Sequence, residues 1–292
     1  MNERMDVAYG QGSGHDLKLD IYEPEETKSL RTAVLQFHGG GWRRGDRKML
    51  APLARLLAAE GFTAMPAQYR LLDEAPFPAA VHDVKAAIRW VRANAAALGV
   101  EPDRIVLCSN SAGAHLSLLA AGTTGIAEFD GDGGNPDVDA SVAAIAVFYP
   151  PTAFRTGDDK VKGTVPADAL LGEGATADAA AKASPLSHVS PAFPPTFFLH
   201  GSADRVVPTY SSVAMHDALR AAGVDTDLHV FAGQNHGFDH VDVFREVVVK
   251  EIALFFRRTV SQKAEIAARI QEQSMFAQRA AAEAAAARGG RS

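Results

Sequence analysis

The sequence predicts an α/β protein in which a mostly parallel sheet has helices on both faces. Short, nearly continuous apolar runs recur along the chain, and segments with apolar residues at helical spacing separate them. Strands and helices that alternate in this way are typical of βαβ units. Because such folds commonly fill this length with one core, we expect a single domain at residues 1–260 of the 292.

The first predicted elements lead into and out of a glycine-rich segment. Residues 17–22 alternate apolar and polar side chains, which predicts an edge strand, whereas the apolar run at 33–37 predicts an interior strand. A helix is expected at 49–59, because leucines recur at helical spacing before Gly61. Residues 62–67 then predict another strand.

The rest of the chain repeats the alternation. Amphipathic helices are predicted at 79–98, before Gly99, and from Ala112 onward. The remaining predicted elements are strands at 105–108, 142–148, 196–199 and 228–231 and a helix at 211–222.

Two segments depart from this pattern. Residues 150–195 are rich in Pro, Gly, Ala and Ser, which predicts an excursion over the C-terminal edge of the sheet, where substrate-shaping loops belong. Residues 261–292 form an Ala-rich tract that favours a helical extension, but its apolar stripe is too thin to fold alone. Three arrangements fit this tract: packing on a partner subunit in a homo-oligomer, lying along the body, or fraying.

Charge and composition exclude several classes of protein. A net charge of −6 offers no basic field that would attract nucleic acid. The N-terminal residues lack the apolar stretch of a signal peptide, and no window is as apolar as a membrane span, so we expect a cytoplasmic protein. The lone Cys108 lies in a predicted buried strand, where core packing is its expected role.

A strand-turn-helix segment carries the candidate nucleophile. Residues 109–113, SNSAG, follow the strand at 105–108 and precede a helix, which is the setting in which a tight turn exposes a central serine, here Ser111. Ser109 stands where this motif usually has glycine. Because serine is small enough for a close approach of helix and strand, we expect the turn to survive.

A glycine-rich segment supplies candidate hydrogen-bond donors. Residues 38–42, HGGGW, follow a predicted strand, and consecutive glycines leave the backbone free to turn its N–H groups toward a ligand. Acyl transfer needs such donors for the oxyanion that develops on the substrate. We expect the amides of Gly39, Gly40 and Ala112 to form this oxyanion hole.

Two later segments supply a base and an orienting carboxylate. Asp204 lies in a loop after the strand at 196–199, and His236 lies in a loop after the strand at 228–231. The order Ser111, Asp204, His236 is one in which serine triads occur, so His236 is predicted to be the general base and acid and Asp204 its orienting carboxylate. His200 also lies at a strand end but precedes Asp204, and it is the weaker candidate base.

Together these segments resemble the α/β-hydrolase esterases. The segments HGGGWRRGD, AQYRL, EAPFPAAVHDVKAAIRWVRANA, HGSADRVVP and NHGF are similar to the branch with bacterial carboxylesterases and the acetyl-xylan and feruloyl esterases. The similarity spans about residues 15–258. Asn110 before the serine, and only 37 residues before His38, favour this lightly capped group over the hormone-sensitive-lipase branch.

The resemblance implies both a fold and an activity. The implied fold is an α/β-hydrolase fold with a mostly parallel eight-stranded sheet and a minimal cap. The implied activity is hydrolysis of carboxylic esters through an acyl-serine intermediate, without a metal or an organic cofactor. An arylformamidase-like amidase on the same triad is an alternative, and a catalytically silent ligand-binding protein is an alternative of another class.

Aromatic side chains are the candidates for the substrate pocket. Trp42 and Phe238 are expected to bind substrate, and Phe77 and Phe154 could line the same pocket or belong to the core. Short insertions predict an open site, which favours short-chain acyl or aryl esters.

The remaining polar residues have structural interpretations. Ion pairs that hold loops are expected to explain Asp46, Arg70 and Asp83 better than catalysis does. The aspartates at 130–139 lack the glutamate and the fixed glycine of a calcium loop, so a solvated loop is expected there.

Overall fold

An eight-stranded sheet forms the centre of the molecule. The structure is a computed structural model that describes residues 2–157, 162–276, 278–280 and 282–283. The strands follow the order β1-β2-β4-β3-β5-β6-β9-β10, and all neighbours from β4 to β10 are parallel. Their bounds are β1 Asn2–Gly12, β2 His15–Glu23, β3 Ala33–Phe37, β4 Thr63–Ala67, β5 Ile105–Asn110, β6 Ala144–Phe148, β9 Thr196–Gly201 and β10 Thr226–Phe231. The predicted mostly parallel, eight-stranded α/β fold is confirmed.

Helices cover both faces of this sheet. Alternate strand residues face opposite sides, so that in β3 Leu35 joins one apolar core and Val34 the other. Helices α2 Ala79–Ala93, α3 Ser111–Gly122 and α7 Tyr210–Ala221 pack on the first face, and α1 Ala51–Ala59 and α8 Asp242–Phe256 pack on the second. The parallel strands therefore end at one common edge, where the loops that follow them meet.

The antiparallel edge of the sheet differs from the sequence prediction. The segment 17–22 was expected at the edge, but β1 lies outside β2 and pairs with it from Asn2 to Gly12. Most of β1 is exposed or half-buried, and only Tyr9 and Gly12 are buried within it. Because such a strand has no continuous apolar run, apolar periodicity does not reveal it.

Several boundaries also shift. Helix α2 ends at Ala93 rather than at residue 98, and turns carry the chain through Gly99, which has a left-handed φ of 64°. Strand β5 continues to Asn110, so that the serine turn, residues 109–113, begins inside the sheet.

In its described residues, the segment 150–195 contains only short elements. They are the paired strands β7 Phe154–Arg155 and β8 Val165–Pro166, the helices α5 Asp168–Leu171 and α6 Ala177–Ala183, and a 3-10 helix at Pro185–His188; the short helix α4 Ala127–Asp130 precedes them in the chain. Val165, Pro166 and Ala169 reach the cavity at the C-terminal edge of the sheet. The predicted excursion over this edge is therefore present in the described part of the segment.

The C-terminal tract begins with a π-helical turn at Arg257–Ser261 and helix α9, Lys263–Gln273, which has no buried residue. Residues 277, 281 and 284–292 of the tract lie outside the described residues. Across the described helices, none combines the length and the apolar character that crossing a membrane requires.

Buried charges hold loops together, as expected for Arg70 and Asp83. The Arg70 guanidinium donates to Asp83 at 2.6 Å, and the Asp83 side chain is only 3% exposed. Asp46 accepts the amide of Lys48 at 2.8 Å and so caps a short helical turn. These contacts give the three side chains structural roles.

The loop at 130–139 is organised by an arginine rather than by a cation site. Arg89 donates to the backbone carbonyls of Asp130, Gly133 and Gly134. Among the residues that the structure describes, no group of three His, Cys, Asp or Glu side chains could hold a metal ion.

Candidate active site

Ser111, His236 and Asp204 form one chain of hydrogen bonds. Each residue follows the carboxyl end of a parallel strand, β5, β10 and β9 respectively, which brings distant parts of the sequence to one edge. The hydroxyl of Ser111 lies 2.9 Å from Nε2 of His236, and Nδ1 of His236 lies 2.7 Å from Oδ2 of Asp204. Since Asp204 accepts the Nδ1 proton, Nε2 is left to accept the proton of the serine.

Asp204 is fully buried and receives four hydrogen bonds. Its Oδ1 accepts the amides of Val206 and Val207, and its Oδ2 accepts from His236 and, at 3.2 Å, from Nε2 of His200. Burial alone would raise the pKa of Asp204, but the bonds from His200, His236 and Val207 hold it well below its usual value. The carboxylate therefore stays ionised while it orients His236.

His200 is thus a partner of the carboxylate and not of the serine. Its Nδ1 lies 2.8 Å from the hydroxyl of Ser212, and its Nε2 also lies 3.1 Å from the carbonyl of Val207. A carbonyl can only accept, so Nε2 carries the proton and donates it toward Val207 and Asp204.

The serine turn has the sharp geometry that exposes Ser111. This residue has a left-handed φ of 50° at the start of α3, which is rare for a residue other than glycine. At Gly113 an added Cβ would lie 2.0 Å from the carbonyl oxygen of Phe37. Only glycine therefore permits α3 to approach β3 this closely.

Ser109 has a structural role that glycine could not supply. Backbone pairing between β3 and β5 extends to Leu35 and Leu107 and then stops. Beyond that point the hydroxyl oxygen of Ser109 accepts the N–H of Phe37 at 3.1 Å and the hydroxyl of Ser117 at 2.8 Å. The turn survives the departure from glycine, as expected, because this side chain bonds the diverging strands.

In the glycine loop, residues 38–42, one of the amides expected to donate to the oxyanion is already hydrogen-bonded. The amide of Gly39 donates to Oδ1 of Asn110 at 2.7 Å, so it is already engaged and is not free for an oxyanion. Within the described part of the chain, the amides of Gly40, Gly41 and Ala112 have no acceptor, and all three residues line the cavity. The unengaged donors are therefore those of Gly40, Gly41 and Ala112.

A buried polar network connects the glycine loop to the histidine loop, residues 232–241 between β10 and α8. Besides accepting from Gly39, Asn110 donates through Nδ2 to Asp239 at 3.2 Å. The Tyr149 hydroxyl also donates to Asp239, and the Tyr149 ring lies 4.2 Å from the His236 ring between centroids. Burial and the neighbouring Asp239 raise the pKa of Tyr149 well above its usual value, so the phenol stays protonated.

Sequence reasoning did not assign these network residues. In the sequence Asn110 is only the residue before the serine, and no motif marks Tyr149, in a loop, or Asp239, in a 3-10 helix. The available signal was a polar residue directly after a buried strand, which Tyr149 is after β6.

Of the two aromatic residues expected to bind substrate, Trp42 lines the cavity and Phe238 does not. Trp42 lines the cavity and donates from Nε1 to Nδ1 of His115 at 3.1 Å. Phe238 is 4% exposed and packs on Phe231 at 4.8 Å between ring centroids, in the core beside the cavity rather than in its lining. The prediction that Phe238 lines the substrate pocket is therefore wrong, because its ring fills space between the histidine loop and α8.

Phe77 and Phe154 also pack away from the cavity lining. The ring of Phe77 packs edge-to-face against Phe129, and the ring of Phe154 packs against Trp42 with 5.8 Å between ring centroids. Both belong to the core, which was one of the two alternatives for them.

The cavity at this edge has a volume of about 450 Å³. Apolar side chains supply much of its lining, and Ser111 and His236 open into it beside the glycine loop. The apolar members of the lining are Trp42, Met49, Leu50, Pro151, Val165, Pro166, Ala169, Val206 and Val207. This combination of an activated hydroxyl, free amides and an apolar cavity fits a small organic acyl compound.

Several known proteins to which this chain is similar are described as esterases. A family model described as BD-FAE matches residues 19–219. Esterase LipQ of Mycobacterium tuberculosis is 33% identical over 254 residues, which cover 84% of this chain and 60% of LipQ, so the chain spans about 60% of that relative.

Solved structures agree in fold. Thermogutta terrifontis esterase 2, in a structure phosphonylated by sarin, has a TM-score of 0.73 and 29% identity, with 87% of this chain and 93% of that chain covered. A truncated carbohydrate esterase from gut microbiota has a TM-score of 0.76 and 26% identity, with coverage of 89% and 96%.

The family model covers more than half of the chain, and the relatives found by sequence and by structure agree with it. The chain therefore belongs to the BD-FAE family and has the α/β-hydrolase fold of these relatives.

Proposed function

We propose that this protein hydrolyses carboxylic esters through an acyl-serine intermediate. The observation that carries the proposal is the hydrogen-bond chain from Ser111 through His236 to the ionised Asp204, with distances of 2.9 and 2.7 Å. A serine hydroxyl is a weak nucleophile until a base takes its proton. The hydrogen bond to Asp204 holds His236 in the tautomer that can act as this base.

The reaction follows from these contacts. Nε2 of His236 takes the proton of Ser111 as its oxygen attacks the substrate carbonyl carbon, and a tetrahedral oxyanion forms. The imidazolium then gives this proton to the departing alcohol as the carbon–oxygen bond breaks, which leaves the acyl-serine. In the second half of the reaction, His236 takes a proton from water, which attacks the acyl carbon. The bond to the serine oxygen then breaks, His236 returns the proton to Ser111, and the carboxylic acid is released.

The free amides of Gly40, Gly41 and Ala112 are the proposed donors to the oxyanion. They replace the expected set with Gly39, because Asn110 occupies the Gly39 amide. Loss of a single oxyanion donor typically raises the barrier by about 3 to 4 kcal/mol, so these donors contribute a large share of the acceleration.

Short-chain acyl esters and aryl esters are the proposed substrate class. The cavity of about 450 Å³ lies among short loops, and its apolar lining suits a small acyl or aryl group.

The C-terminal tract is treated separately from this activity. We propose that residues 261–292 form an extension outside the hydrolase domain at residues 1–260, and that copies of the chain associate through it. In its described part, Ile270, Met275 and Phe276 are 61%, 79% and 86% exposed, and several exposed apolar side chains in one short segment support a partner there. Sizing of the full chain against a chain that ends at residue 260 tests this.

Hydrolysis of p-nitrophenyl acetate and butyrate tests the activity. We expect turnover by the wild type, loss of turnover in Ser111→Ala, and normal turnover in Ser190→Ala, an exposed serine outside the cavity. Intact mass after a fluorophosphonate should show one adduct on the wild type and none on Ser111→Ala.

Two results would point elsewhere. A wild type that is inert and unlabelled would favour a silent ligand-binding protein. Faster turnover of a formamide than of a matched ester would favour the amidase.

A further inference from the structure

The cavity contains one permanent charge. Of the described residues that line it, Arg44 alone is a lysine or arginine, and none is an aspartate or glutamate. The whole chain has a net charge of −6, so this positive spot is not part of a general positive field. A lone cation at a cavity without carboxylates attracts anions selectively.

Within the described part of the chain, Arg44 also has no ion-pair partner. Its neighbour Arg43 lies 3.4 Å from Asp73, whereas no carboxylate among the described residues comes within ion-pair distance of Arg44. Asp46, the nearest acidic residue in the sequence, uses its carboxylate to accept the amide of Lys48. The Arg44 guanidinium is exposed and available to a ligand.

The backbone fixes Arg44 next to the proposed oxyanion donors. Its amide donates to the carbonyl of Gly40 at 3.1 Å, and an added Cβ on Gly40 would lie 1.9 Å from the Arg44 carbonyl oxygen. Arg44 therefore starts from the glycine loop itself, and its long side chain can meet a substrate group several bonds away from the reacting carbonyl.

We propose that the cavity prefers esters that carry a carboxylate a few bonds from the ester group, and that Arg44 binds this carboxylate. The inference rests on the proposed ester hydrolysis and names its substrate class. A guanidinium suits this role because it donates two parallel hydrogen bonds to a carboxylate. The apolar lining then holds the hydrocarbon between the two ends of the substrate.

Two pairs of esters test the preference on either side of the ester bond. Monoethyl adipate is compared with ethyl hexanoate, which has the same number of acyl carbons, and 4-acetoxybenzoate is compared with phenyl acetate. The quantity measured is the ratio of kcat/KM for the charged ester to that for the neutral ester. Differences in intrinsic reactivity cancel when this ratio is compared between variants.

We expect the ratio for at least one pair to fall about two- to fivefold in Arg44→Gln, as for a solvent-accessible ion pair. It should fall further in Arg44→Glu, where attraction becomes repulsion. Arg43→Gln is the matched control, because Arg43 is adjacent but does not line the cavity, and its ratio should equal that of the wild type. Added salt should lower the wild-type ratio.

The outcomes separate this inference from the proposed function. If the wild type hydrolyses the neutral esters and the ratios of Arg44→Gln and Arg44→Glu match the wild type for both pairs, the preference is overturned and the esterase stands. An equal fall for charged and neutral esters also overturns it, since Arg44 would then act on the reaction and not on the charge. If no ester is hydrolysed, both proposals fail.

Discussion

Replacement of Ser109 by the glycine usual at this position should destabilise the protein. The substitution removes the oxygen that accepts the N–H of Phe37 and the hydroxyl of Ser117. A buried N–H without a partner costs about 1 to 3 kcal/mol, and glycine in a strand adds about 0.5 to 1 kcal/mol of backbone entropy. We therefore expect Ser109→Gly to lower the free energy of unfolding by about 1.5 to 4 kcal/mol.

Urea denaturation followed by circular dichroism measures this change, and Ser109→Ala is the matched control. Alanine keeps the Cβ but lacks the hydroxyl, so it should show only the hydrogen-bond loss of about 1 to 3 kcal/mol. Ser117→Ala should cost less, because the Phe37 amide keeps its acceptor. If Ser109→Gly were as stable as the wild type, the reasoning about the diverging strands would be refuted.

Two further substitutions test the surroundings of the site. Burial lowers the pKa of His115 to about 4. Above about pH 6.5 this histidine is neutral in both the folded and the unfolded chain, and its contribution to the free energy of unfolding is complete. As the pH falls from about 6.5 toward 4, the unfolded chain binds a proton there that the folded chain does not, so this contribution is lost. His115→Gln should therefore flatten the dependence of unfolding free energy on pH in this window, as measured by urea titrations, and an unchanged slope would contradict the assignment. Asn110→Ala should lower kcat for p-nitrophenyl acetate about tenfold or more, because Gly39 loses its acceptor and the glycine loop shifts. Asn94→Ala, remote from the cavity, serves as control, and a kcat for Asn110→Ala within twofold of the wild type would exclude a positioning role.

The sequence was informative where the position of a functional residue follows from the strand that precedes it. The strands that alternate with helices are local apolar patterns, and the parallel sheet then brings every strand end to one edge. Ser111, Asp204 and His236 were accessible to sequence reasoning for this reason, since each follows a predicted strand. No knowledge of side-chain contacts was needed to place them together.

The sequence was not informative where a role depends on one particular side-chain contact that no motif marks. Asn110 accepts the amide of Gly39 across 71 positions, and no motif marks this contact, so the sequence did not show that this expected oxyanion donor is engaged. Phe238 was misplaced because an aromatic residue beside His236 has the same local pattern whether it faces the cavity or the core. Strand β1 was missed because an exposed outer strand buries too few apolar side chains to show a period.

Residues 109, 110 and 111 bond to three different parts of the molecule: the end of β3, the glycine loop with Asp239, and the histidine loop. When the end of β5 moves, these bonds therefore move Ser111, the glycine loop and His236 in the same direction, and the distances between them change little. For protein engineering, this means that the three positions do not vary independently. Phe37 and Gly39 take part through backbone amides, so a library that randomises 109 and 110 should also vary positions 117 and 239, whose side chains bond to them.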